Sequence, residues 1–204
     1  MGLRERKKIE TRAALSWAAI QLVVERGFDN VLVEDIANAA GVSPRTFNNY
    51  FSSKAEAVTA RHLDRAVKLA EILRERPADE PLWTAIRKAV LAQLEPGPEV
   101  LDHPVGDRER WATGVRSMMA APALQAEFLR ASSIAEAEVA AAVAERTKTA
   151  VGRDLYPSLV AAAVSAAVTV CQQQYLHDDA QTDMAVLLTE ALDLVEAGLP
   201  DPSA

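Results

Sequence analysis

Apolar residues recur at helical spacing along most of the chain, and no stretch shows strict two-residue alternation or β-hairpin turn pairs. A first helix is predicted over Leu3–Arg26, with Leu15, Ala18, Ala19, Leu22 and Val23 on one face. Gly27 closes it, and Phe28 folds back as the apolar contact after the cap. Further helices are predicted over 33–40, 44–50, 53–74, 82–94, 108–119, 123–147, 156–177 and 182–197. Pro96-Gly97-Pro98 and His103-Pro104-Val105-Gly106 read as irregular, and Pro77 and Pro81 mark a joint. The pattern predicts an all-α protein.

The last two predicted helices differ from the rest. In the final one, Met184, Leu187, Leu188, Ala191, Leu192 and Val195 form one apolar stripe, with Asp183, Glu190, Asp193 and Glu196 away from it. The helix before it is apolar on nearly every side, from Leu159, Val160 and Ala163 to Val168, Val170 and Cys171. A helix with no wet face needs cover on both sides. A second copy of the chain can supply part of it, so the helices that open at Tyr156 and Thr182 and close at His177 and Ala197 are the expected homodimer surface.

Residues 27–56 carry the strongest local signal. A short helix from Val33 places Ile36, Ala37 and Ala40 on one face and ends at Gly41. Ser43 then caps a second short helix, with Pro44 in its first turn, where a missing N–H costs nothing. That helix holds Asn48 and Asn49, which are poor helix formers and cannot fill a core. An Asn amide can pair with the N6/N7 edge of adenine, so the pair suits a helix that reads DNA. The arrangement is a helix-turn-helix. Arg45, Thr46, Asn48, Asn49, Tyr50 and Lys54 are its candidate DNA contacts, with Phe47 and Phe51 turned inward. Lys54 earns its place at a helix N-terminus, a natural phosphate seat, in the capping box Ser53-Lys54-Ala55-Glu56.

The same residues resemble the TetR family of bacterial transcriptional regulators. The matching pieces are Thr11-Arg12, Glu25-Arg26-Gly27-Phe28, Glu34-Asp35-Ile36-Ala37, Ala40-Gly41-Val42-Ser43, Thr46-Phe47, Tyr50-Phe51 and Ser53-Lys54-Ala55-Glu56. They cover roughly residues 5 to 60 in the family's order and spacing. The family usually carries Thr where Leu32 stands, and Asp29 or Asn30 is the expected substitute cap. The resemblance implies three parts: a helix-turn-helix DNA-binding domain over 1–53, a connecting helix over 54–76, and an effector-binding and dimerisation domain over 77–204. Residues 110–129 also resemble the C-terminal domain of actinobacterial TetR-type regulators thought to bind acyl-CoA-like ligands. This implies an apolar or acyl-CoA-like small-molecule effector, with Trp111, Met118, Met119, Phe128 and Tyr175 as its candidate contacts. The same bulky groups also suit an ordinary helical core, and a constitutive DNA-binding dimer without an effector is the alternative.

Charge changes the picture only through its distribution. The net charge is -7, yet residues 1–54 carry eight Lys/Arg against six Asp/Glu, or +2, and residues 55–204 carry fourteen against twenty-three, or -9. A locally basic unit on an acidic body still neutralises phosphate where it touches it. The single Cys171 excludes an internal disulfide framework. His62, His103 and His177 are far apart in sequence, so neither a metal site nor a cofactor is expected. No nucleophile elbow, P-loop, dinucleotide fingerprint or zinc-protease pattern occurs, which argues against an enzyme. The basic N-terminal segment lacks an apolar signal core, and the run from Leu155 to Cys171 reads as too short and too interrupted to span a bilayer. A cytoplasmic protein binding double-stranded operator DNA, with no membrane partner, is the resulting expectation.

Overall fold

The computed structural model describes residues 2–177 and 182–203, and among these every regular element is helical. The helices are α1 (Leu3–Arg26), α2 (Val33–Ala39), α3 (Pro44–Asn48), α4 (Lys54–Glu75), α5 (Leu82–Leu91), α6 (Pro98–Asp102), α7 (Arg108–Ala120), α8 (Pro122–Thr147), α9 (Leu155–His177) and α10 (Met184–Glu196). Single 3-10 turns cover Phe28–Asn30 and Ala92–Leu94. The short α6 lies in a stretch that reads as irregular. Pro98 starts it, because its preset φ suits the first helical position.

The chain divides into two units: Met1–Leu63 with Pro96–Ala131, and Asp64–Glu95 with Ser132–Ala204. This partition differs from the sequential 1–53, 54–76 and 77–204. The reason is packing: Met118 and Leu124 are buried in the same cluster as Trp17, Phe47 and Phe51, so α7 and the start of α8 belong with the helix-turn-helix. Helices α4 and α8 each contribute to both units.

In the first unit, α1 buries Leu15, Trp17, Ala18, Ala19, Leu22 and Val23, and the Gly27 N–H bonds the Val23 carbonyl at 2.9 Å. Helix α7 crosses α1 at Gly114, where an added Cβ would lie 2.5 Å from the Val24 carbonyl oxygen. Only glycine allows that approach without a shift. The Trp17 and Gln21 side chains donate to the His103 carbonyl at 3.2 and 3.1 Å, fastening the stretch before α7 over α1.

In the second unit, α5 buries Ala85, Ile86, Ala89 and Val90, and α10 buries Leu187, Leu188 and Leu192. Arg87 links α5 to α10 through Asp193 and Glu196. The Arg146 guanidinium donates to the carbonyls of Pro77 and Glu80, both at 2.6 Å, and of Arg76 at 3.3 Å, which fixes the joint after α4. The stripe read on α10 is therefore directed at its own chain. Leu187, Leu188 and Leu192 are buried, and Met184, Ala191 and Val195 pack on the same cluster. The free apolar positions lie elsewhere: Val186 and Leu194 on α10, and Leu155, Leu159 and Val170 on α9.

Helix α9 runs for 23 residues. By length and composition it could cross a membrane, contrary to the shorter reading of this segment, with 33% of its most apolar window buried in the chain. Pro157 does not interrupt it, because it lies in the first turn, where no helical N–H is needed. Thr169 returns its hydroxyl to the Ser165 carbonyl at 2.9 Å, so its polar group stays within the helix.

Candidate nucleic-acid interface

The reading helix is built by its ends. Gly41 adopts φ +68, and the Val42 N–H reaches back to the Ala37 carbonyl at 2.9 Å, closing α2. The Ser43 hydroxyl accepts the Thr46 N–H at 3.1 Å and sits 2.9 Å from the Thr46 hydroxyl. Leu32 has no side-chain acceptor to cap α2. Neither Asp29 nor Asn30 takes that place: Asn30 donates to the Arg26 carbonyl at 2.8 Å, at the end of α1. Only the reciprocal half of a capping box is present: the Asp35 carboxylate accepts the Leu32 N–H at 2.9 Å, and among the described residues no side chain caps the first turn of α2.

Phe47 and Phe51 are buried, with ring centroids 5.7 Å apart, and anchor α3 to the core. Arg12 lies 4.7 Å over the Phe51 ring, and its Nη1 donates to the Tyr50 carbonyl at 3.5 Å. With the inward face fixed, Arg45, Asn48 and Asn49 are left exposed, while Thr46 and Tyr50 are half-buried. Helix α3 stops at Asn48, and Asn49 caps its C-terminus, so the helix is one turn of reading surface rather than the longer 44–50 segment.

Lys54 has a role that sequence alone does not reveal. Its ammonium donates to the carbonyls of Phe28 at 2.7 Å and Val31 at 2.9 Å and lies 4.3 Å over the Phe28 ring. Two of its three donors are thereby spent on the α1–α2 connection, leaving one for a phosphate. The capping box is also rearranged: the Glu56 N–H donates to the Ser53 hydroxyl at 3.1 Å, while the Glu56 carboxylate takes the Ser52 N–H and hydroxyl. Burial pushes the Glu56 carboxyl up. The Ser52 bonds and the nearby Arg12 and Arg130 outweigh that and hold it below the usual carboxylate range.

Of the five candidate effector contacts, Trp111, Met118, Met119 and Phe128 belong to the first unit and Tyr175 to the second. Trp111, Met118 and Phe128 pack with the first unit's core, and Trp111 lies 5.3 Å from Trp17, ring to ring. Met119 is exposed, and Tyr175 packs on the second unit's core. An open cavity of about 450 Å³ does adjoin the reading helix, lined by Asn48, Asn49, Tyr50 and Ser52 together with Glu56, Glu127 and Arg130. Sequence reading missed Glu127 and Arg130. Their three-residue spacing on a helix looks like an ordinary solvated pair, and nothing local places α8 beside α3.

Comparison with known proteins decides what this geometry belongs to. Residues 17–60 match the model for bacterial regulatory proteins of the tetR family, and residues 80–200 match the MftR C-terminal domain, one of the TetR C-terminal models. The chain belongs to the TetR family. It is 32% identical over 200 residues to the HTH-type transcriptional regulator TcmR of Streptomyces glaucescens, covering 94% of this chain and 85% of TcmR. It is 30% identical over 201 residues to MftR of Mycobacterium tuberculosis, named for mycofactocin biosynthesis, covering 95% and 93%. The fold agrees with that of the solved fatty acid degradation regulator FadR from Bacillus halodurans: TM-score 0.58 at 14% identity, covering 93% of this chain and 96% of FadR. The chain is thus a TetR-family DNA-binding transcriptional regulator, of a family whose members dimerise and are not enzymes.

Proposed function

We propose that the protein is a cytoplasmic, homodimeric repressor that reads a palindromic operator through α3 and is released from it by an apolar or acyl-CoA-like small molecule. The observation that carries the DNA-reading part is the pairing of a fully buried Phe47 with exposed Asn48 and Asn49 beside it. The helix is locked on one side and offers two amides on the other. Arg45, Thr46, Tyr50 and the remaining donor of Lys54 supply backbone contacts around them. A selection from random duplexes tests this reading. Asn48→Ala or Asn49→Ala should relax base preference by about 1–3 kcal/mol per lost bidentate contact. Unchanged preference in both would remove their base-reading role.

The dimer is assigned to the outer face of α9, with Val186 and Leu194 of α10, because those apolar side chains have no cover within the chain. A groove of about 580 Å³ along α10, lined by Ala185, Val186, Thr189, Glu190, Asp193 and Leu194, adjoins that face. Two-fold pairing would set the reading helices at half-sites one helical turn apart.

An effector releases DNA only if it binds the DNA-incompetent arrangement more tightly. Helix α4 is the element to carry the change, since it runs from the reading unit into the other. The packing of Trp111, Met118 and Phe128 into a core favours the second reading, a constitutive regulator without an effector. Thermal shift with fatty acyl-CoAs, paired with operator-release assays, separates the two. Stabilisation with release supports the effector; no binding supports the constitutive dimer.

A further inference from the structure

Arg130 lies on α8, far in sequence from the helix-turn-helix, yet it lines the same cavity as Asn48, Asn49 and Tyr50. Its position is held firmly. Leu124 and Ala131 on the same helix are buried, and Phe128 meets His62 edge-on at 6.5 Å. Its side chain is half exposed, and its guanidinium is forked onto Glu127, with Nε 3.0 and 3.2 Å from the two carboxylate oxygens. A surface pair between neighbouring turns contributes little and is readily exchanged. A phosphate offers the same bidentate geometry with more charge. The first unit as a whole is nearly neutral, with thirteen Lys/Arg against twelve Asp/Glu, or +1, so each cation near the reading face matters.

We infer that Arg130 is a further DNA-backbone contact supplied from outside the helix-turn-helix, and that Glu127 holds it in reserve by competing with phosphate for its guanidinium. The inference rests on the DNA-reading role of α3 proposed above. It assigns Arg130 no base specificity: a guanidinium on a phosphate positions the reading helix and strengthens all sequences alike. Glu127 and Glu56 also place negative charge in the cavity, so the exchange requires the duplex to draw Arg130 away from them.

The test is the salt dependence of binding by the full chain to a selected operator duplex and to a scrambled one. Arg130→Gln should weaken both alike and reduce the steepness of log affinity against log salt by about one per protomer. Arg130→Lys should retain most of the slope. Glu127→Gln should tighten binding to both duplexes. Arg110→Gln removes the same charge from α7, away from the cavity, and should alter the slope far less. An unchanged slope in Arg130→Gln, an equal loss in Arg110→Gln, or no gain in Glu127→Gln would each overturn the inference. Far-UV circular dichroism confirms that each variant is folded. If Arg130→Gln does not fold, the Glu127→Gln result alone decides. A wild-type protein without operator preference would instead overturn the DNA-reading proposal. A preference that depends on Asn48 or Asn49, with a slope indifferent to Arg130, would overturn only this one.

Discussion

Trp17, Phe47, Phe51, Leu15 and Ile36 fill the interior of the first unit with bulky side chains, whereas the buried hydrophobic cluster of the second consists of Ala, Val, Leu, Ile and Cys, with no aromatic among the described residues. The second unit also leaves Leu155 79%, Leu159 62% and Val170 56% exposed along one side of α9. A core of small residues lets helices approach closely but hides less apolar area for each residue ordered. The contrast separates two ways of being stable. The reading unit is completed by bulky anchors from its own chain, and the second unit has an apolar face that a partner copy would complete.

The sharpest way to break this contrast is Phe47→Ala. A large cavity in a fully packed core should cost about 3–5 kcal/mol and lower the urea midpoint of the whole transition. Charge on the outer face of α9 should act differently. Leu159→Glu with Ala166→Glu leaves the buried side of the helix intact, so the chain should stay helical while sedimentation shows monomers at micromolar concentration. Operator affinity should fall by about 10²-fold as the two reading helices lose their linkage. Leu188→Glu, on the buried face, should unfold the unit instead. If the α9 variant remains dimeric, the exposed face is not the interface and the contrast between the units fails.

Smaller effects sharpen the picture within each unit. Leu32 enters α2 without a side-chain cap, so Leu32→Thr should raise stability by about 1 kcal/mol, and Asp35→Ala should lower it by a similar amount. Both are read from thermal melting. In the second unit, hydrogen bonds from Arg76 and Lys88 hold the Glu80 carboxyl down at about 2. A carboxylate depressed in the folded state contributes stability that is present above its unfolded value and lost as pH falls through the folded one. Glu80→Gln should therefore lower stability at neutral pH and flatten its fall between pH 4.5 and 2, the variant and the parent converging at the acid end of a titration of helicity.

Sequence alone determined the helices and the helix-turn-helix, because these depend on local signals: the apolar spacing of α1, Gly41 and Ser43 at the ends of α2 and α3, and Pro44 in a first turn. The inward turn of Phe47 and Phe51 followed from the same periodicity. Tertiary structure decided what depends on partners distant in the chain. It joined α7 and the start of α8 to the reading unit, turned the α10 stripe toward its own core and left the outer face of α9 bare. It also spent the Lys54 ammonium on the Phe28 and Val31 carbonyls and brought Arg130 beside Asn48. Helical periodicity shows that a face is apolar; only packing decides whether that face is covered by its own chain or left for another.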